Sequence, residues 1–97
     1  MSKPDYEARC VVYDRALDAY GPDVQLTVAL EELSEAQKEI CKMLRGMGNI
    51  ENLAEEIADA EIMLEQVKNM FNIEELVDEV AEKKLDRLQR KIEEDRG

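Results

Sequence analysis

Apolar residues recur along the chain at helical spacing, and three short interruptions divide the pattern into four segments. The first covers about residues 5–19. Its Tyr6, Cys10, Tyr13, Leu17 and Tyr20 follow at intervals of 4, 3, 4 and 3, one apolar seam on a helix. A tyrosine on this seam can stack on a nucleobase; the same spacing also serves packing against a partner helix. Tyr20-Gly21-Pro22-Asp23 reads as a turn, and Asp23 stands where it can cap a second helix reaching about Arg45. Gly46-Met47-Gly48 stops that helix, and Asn49 can cap a third that runs to about Met70. Asn72 with Glu75 three residues later makes a capping-box pattern, with Phe71 and Leu76 as its staple, for a fourth helix to about Glu93. No stretch alternates as a strand does, and no repeat or low-complexity linker appears. The expected fold is all-α, a four-helix bundle forming a single domain over residues 1–97.

Two five-residue segments share the template Glu-Glu-aliphatic-small-acid: Glu31-Glu32-Leu33-Ser34-Glu35 in the second helix and Glu55-Glu56-Ile57-Ala58-Asp59 in the third. Acids are a quarter of the chain, so acid pairs at this spacing also arise by chance, as in Glu75/Asp78 and Glu79/Glu82. Phase on the helix separates the first two from the rest. With Glu32 at 0°, the apolar stripe from Met43 through Ala29, Ile40, Leu33 and Leu44 to Leu30 spreads over about 20–160°, and Glu35 falls near −60°. With Glu56 at 0°, Val67, Leu53, Leu64, Ile57 and Ile50 fill about 20–120°, and Asp59 falls near −60°. Both pairs border their stripes at the same phase. If the two helices pack antiparallel through those stripes, the four carboxylates converge along one seam.

Composition narrows the chemistry. The 97 residues include 24 acids and 13 Lys or Arg, a net charge of −11, which disfavours duplex nucleic acid and anionic membranes as partners. No apolar run approaches the roughly 18 residues of a membrane span, and the first residues lack a signal-peptide core, so a cytoplasmic protein is expected. Cys10 and Cys41 fit no metal or disulfide pattern and read as small apolar residues in a reducing compartment. The chain has no histidine, which leaves base work to a carboxylate.

Like charges about 4 Å apart repel by roughly 4 kcal/mol at an effective dielectric near 20, so converging carboxylates need protons or a cation. Hard oxygen ligands without His or Cys suit Mg²⁺, or Mn²⁺, ions that keep water and bridge to substrate phosphates. The plain alternative is a solvated acidic face. On the fourth helix Lys84 falls inside the apolar arc of Val80, Val77, Leu88 and Ile92, and Arg87 lies at its edge. Lys84 can snorkel to water, pair with a seam carboxylate or meet a triphosphate.

The segments at 31–35 and 52–59 (Asn-Leu-Ala-Glu-Glu-Ile-Ala-Asp) resemble the signature of the MazG-like, all-α nucleoside-triphosphate pyrophosphohydrolases: an E-x-x-E pair, then E-x-x-D after a gap, here residues 36–55. Tyr20-Gly-Pro-Asp-Val-Gln25 is similar to the family's lead-in, with Tyr20 where Trp is common, and Lys83-Lys84-Leu-Asp-Arg87 to the basic stretch of its last helix. The resemblance spans about residues 17–90. It implies metal ligands at Glu32, Glu35, Glu56 and Asp59, with Glu32 or Glu35 activating water, and substrate contacts at Gln25, Lys84 and Arg87. It also implies Mg²⁺-dependent cleavage of nucleoside triphosphates at the α/β phosphoanhydride, a nucleotide-pool role, and a homodimer or homotetramer whose chains complete one another's core. The related phosphoribosyl-ATP pyrophosphohydrolases usually carry a Lys-rich lead-in and a His after the second pair, and this chain has neither. Two non-enzymatic readings stand beside these: an acidic helical interaction module, and a family member that binds nucleotide or metal without turnover.

Overall fold

A computed structural model describes residues 4–96 as four α-helices: α1 (Tyr6–Tyr20), α2 (Pro22–Leu44), α3 (Ile50–Phe71) and α4 (Glu74–Arg96). No strand occurs among the described residues, and none of their helices is long and apolar enough to cross a membrane.

Local chemistry explains most of the boundaries. Asp5 starts α1 by accepting a hydrogen bond from the Ala8 N–H at 2.8 Å. Gly21 closes α1 at φ 85°, a backbone conformation L side chains rarely adopt. Pro22 then opens α2, where its missing N–H costs nothing. Asp23 is therefore a first-turn acid and not the cap expected from sequence; no side chain caps this helix. Asn49 caps α3 as expected, accepting from Glu51 and Asn52 N–H at 2.8 and 3.1 Å. Asn72 is reassigned. It ends α3 in the left-handed region at φ 55°, its N–H bonded to Asn69 and Lys68 carbonyls, so it does not open α4 through a capping box with Glu75.

α2 and α3 form an antiparallel hairpin, and α1 packs across them, chiefly on α3. Tyr13, 5% exposed, is the largest residue of the small core, with Ala29, Ala60, Met63 and Gln25. Its hydroxyl donates to Glu65 at 2.8 Å, and Arg9 meets the same carboxylate oxygen at 2.6 Å, tying α1 to α3. Asn69 donates to Asp14 at 2.8 Å one turn further on. Hydrogen bonding and charge at Glu65, added to desolvation as the leading cause, push the Tyr13 phenol up to about 12. Only the middle of the tyrosine seam packs, since Tyr6 and Tyr20 remain exposed. Cys41 is likewise exposed, because its part of α2 lies uncovered, while Cys10 is half-buried.

α4 behaves differently. It buries no residue, and backbone contact joins it only to α3, beside the turn. The radius of gyration is 16.4 Å, against about 12.5 Å for a compact chain of this length. The accessible surface is 7915 Å², against about 5,700 Å² for a compact monomer of this mass.

The Asn49 cap gives a direct check. Asn49→Ala should lower the free energy of unfolding by about 1 kcal/mol in a urea titration. An unchanged midpoint would mean the two N–H groups are satisfied without it.

Candidate metal centre

The α2/α3 hairpin determines where the acids lie. The residues that bury at this seam, Gln25 and Ala29 on α2 with Ala60 and Met63 on α3, sit at the edge of each apolar stripe nearest the carboxylates. The opposite edge turns outward, leaving Leu33, Ile40, Ile57 and Leu64 exposed. The helices thus meet along the borders of their stripes and not through the centres. This rotation draws Glu32 and Glu56 half out of water.

Carboxylate oxygens of Glu32, Glu56 and Asp59 all lie within 4.8 Å of one another, close enough to share one cation. Three of the four expected ligands come together in this set. Glu35 stays outside it, with its carboxylate 3.3 Å from Lys38, because one helical turn past Glu32 carries it to the exposed side. Its charge still reaches both Glu32 and Glu56.

The electrostatics follow from this geometry. Glu32 is held above the usual carboxylate range first by desolvation and then by repulsion from Asp59, Glu35 and Glu31. Glu56 is raised by desolvation and then by Asp59, Glu32, Glu35 and Glu55. Neither carboxylate forms an ion pair among the described residues. The cluster is a concentration of negative charge with no ion-pair partner among the described residues. That is what a divalent ion neutralises.

The remaining expected residues divide. Gln25 is buried two turns before Glu32, on the same face of α2. Lys84 and Arg87 are exposed on α4, which makes no backbone contact with α2, and neither forms an ion pair among the described residues. One chain therefore does not bring its expected phosphate-binding cations to its own acids. Their spacing marks them as charged residues on an apolar arc, but not where the arc will pack.

A groove of about 410 Å³ between α1 and α3, lined by Arg9, Val12, Tyr13, Ala58, Glu61 and Ile62, had no counterpart in the sequence reading. Ala58 lies about 160° from Glu56 around α3, so this apolar groove opens on the opposite face from the acids. Only the i, i+4 spacing of Arg9 with Tyr13 and of Ala58 with Ile62 hints at it.

Comparison with protein-family models, curated proteins and solved structures finds no match for this chain.

The raised carboxyl groups have a signed consequence. The folded protein holds these protons to higher pH than the unfolded chain, so the cluster's contribution to stability falls as pH rises from about 4.5 through the raised values. Glu56→Gln removes one of the repelling charges. In metal-free buffer its melting temperature should exceed wild type by a few degrees at pH 7, and the two should converge in acid. A variant that melts below wild type at pH 7 would contradict the repulsive cluster.

Proposed function

We propose that this protein is a divalent-metal-dependent nucleotide pyrophosphohydrolase, cleaving nucleoside triphosphates to nucleoside monophosphate and pyrophosphate. The observation carrying the reading is the convergence of Glu32, Glu56 and Asp59 from two segments of the same five-residue template. Chance acid pairs elsewhere, such as Glu75/Asp78, do not join a set of this kind among the described residues. The motif resemblance to MazG-like pyrophosphohydrolases supports the same conclusion and supplies its reaction class.

In this reading Glu32, Glu56 and Asp59 would hold Mg²⁺ (or Mn²⁺), which when bound would supply neutralisation of phosphate charge and acidification of water. Glu35 is outside the three-carboxylate set yet one turn from Glu32, which leaves its carboxylate to orient or deprotonate a water. That water attacks the α-phosphorus. The bond to the bridging oxygen breaks, pyrophosphate leaves with the electron pair, and the proton passes to the carboxylate. Half-burial of Glu32 and Glu56 strengthens electrostatic contacts at the reacting phosphates relative to open water. Gln25, buried along the same helical face, is the remaining candidate for a polar contact to substrate.

One observation favours a second reading, binding of metal or nucleotide without turnover: among the described residues no Lys or Arg forms an ion pair with the cluster. The two readings separate by assay. With Mg²⁺ and a panel of ribo- and deoxyribonucleoside triphosphates, the enzyme should release pyrophosphate and no orthophosphate, and chelator should stop it. Glu56→Gln should reduce that activity by at least about a hundredfold and abolish the Mg²⁺-induced rise in melting temperature, which follows mass action. Glu79→Gln, equally acidic and on exposed α4, should change neither. Saturable Mg²⁺ stabilisation with no release from any nucleotide would select the non-catalytic reading.

A further inference from the structure

We propose that Lys42, in the last turn of α2, is a specificity-determining residue whose ammonium receives the terminal phosphate of the substrate. It thereby selects triphosphates over diphosphates and fixes the direction in which the nucleotide lies along the α2/α3 hairpin. The assignment rests on the nucleotide-hydrolysis reading above and draws its cation from the helix that carries Glu32.

A phosphate chain that reaches beyond three carboxylates is best met by a cation on their side of the hairpin. Among the described residues the hairpin carries four: Lys38, Lys42, Arg45 and Lys68. With Glu32 at 0° on α2, Lys42 falls at about −80°, Lys38 at about −120° and Arg45, at the C-cap, at about −140°. With Glu56 at 0° on α3, Lys68 falls at about +120°, at the far edge of the apolar stripe. The buried Gln25 and Ala29, at about 20° and 60°, place α3 on the positive side of Glu32. The open side of the carboxylates is therefore the negative one, where Glu35 also lies. Lys42 alone of the four stands within a quarter-turn of its own helix's acid phase.

Glu39 turns this lysine toward the seam. Its side chain is 12% exposed, and Lys42 Nζ sits 3.2 Å from its carboxylate. Helical side chains lean toward the N-terminus, so the ammonium points back along α2 toward Glu32 and not out past the loop. Glu39 lies two turns, about 10.5 Å, beyond Glu32, and Gln25 lies the same distance before it. The carboxylates thus stand midway between a buried neutral amide and an ammonium whose side chain is 47% exposed. A nucleoside triphosphate has the same polarity, with neutral hydrogen-bonding groups at one end and its densest charge at the other. With the α/β anhydride at the carboxylates, the nucleoside points toward Gln25 and the γ-phosphate toward Lys42. A diphosphate stops short of the lysine. Glu39 occupies one of the ammonium's three donors and leaves two. A half-exposed ion pair of this kind costs little to rearrange as the long stem swings to the phosphate.

Calorimetry with two inorganic probes reads this subsite without turnover. In Mg²⁺ buffer the wild type should bind tripolyphosphate at least about tenfold more tightly than pyrophosphate, and Lys42→Gln should bind the two alike. Lys42→Arg, which keeps the charge, should keep the preference, and so should Lys91→Gln, which removes the same charge from exposed α4. No preference for the longer probe in the wild type, or a preference that survives Lys42→Gln, overturns the assignment. Kinetics supply the second readout. Lys42→Gln should lower kcat/KM for a nucleoside triphosphate at least about tenfold. For the matching diphosphate, cleaved at the same bond to monophosphate and orthophosphate, it should change kcat/KM less than about twofold. An equal loss on both substrates would contradict a terminal-phosphate contact. If the wild type hydrolyses no nucleotide, the functional reading fails, while the calorimetry still decides the role of Lys42.

Discussion

The placement of the α2/α3 seam conditions everything else in this chain. Ala29, Ala60 and Met63 allow the two helices to approach along the carboxylate borders of their apolar stripes, and Gln25 is enclosed with them. Small side chains at Ala29 and Ala60 permit that close approach, and the longer Leu33 and Ile57 are turned outward. Two consequences share this single cause. Glu32 and Glu56 are drawn into a half-dry seam beside Asp59, where their charges repel. The broad side of each apolar stripe is left open to water. The acid cluster and the uncovered ridge are thus two faces of one rotation.

An arrangement of this kind costs stability in isolation. Crowded carboxylates repel, and exposed leucines and isoleucines forfeit the burial that drives folding. Neither cost is removed by contacts inside one chain. The tie between α1 and α3 through Arg9, Tyr13 and Glu65 holds the other side of α3 and leaves the acids unpaired. The protein carries both deficits on one hairpin, the carboxylates on one side of the α2/α3 seam and the exposed leucines and isoleucines on the other.

Much of this was legible in the sequence because it depends on local chemistry. Four helices followed from periodicity, and Asn49 capped α3 as a short polar side chain before an apolar run should. The template shared by residues 31–35 and 55–59 pointed to Glu32, Glu35, Glu56 and Asp59, of which Glu35 stays outside the set because its position one turn on carries it to the exposed side. What failed was competition between equally good local signals. Asn72 can cap a following helix or end a preceding one, and the left-handed conformation required to reverse the chain after Phe71 decided the matter. Asp23 lost its capping position to Gly21, since Pro22 already occupies the first helical position. The rotation of α2 on α3 was not legible, because a stripe nearly half the helix wide fits several seams. For the same reason Lys84 and Arg87 were recognised by type but not by destination. Their part of α4 is exposed, and the helix meets its own chain only near its start, where Glu74 and Val77 are half-buried.

The most direct test of the central claim is a Mn²⁺ titration followed by electron paramagnetic resonance, with wild type compared against Glu56→Gln. The account predicts saturable binding at a small, fixed number of sites per chain, competed by Mg²⁺ and lost in the variant. Weak binding that never saturates, or that is the same in both proteins, would show that these carboxylates are an acidic surface and not a metal centre.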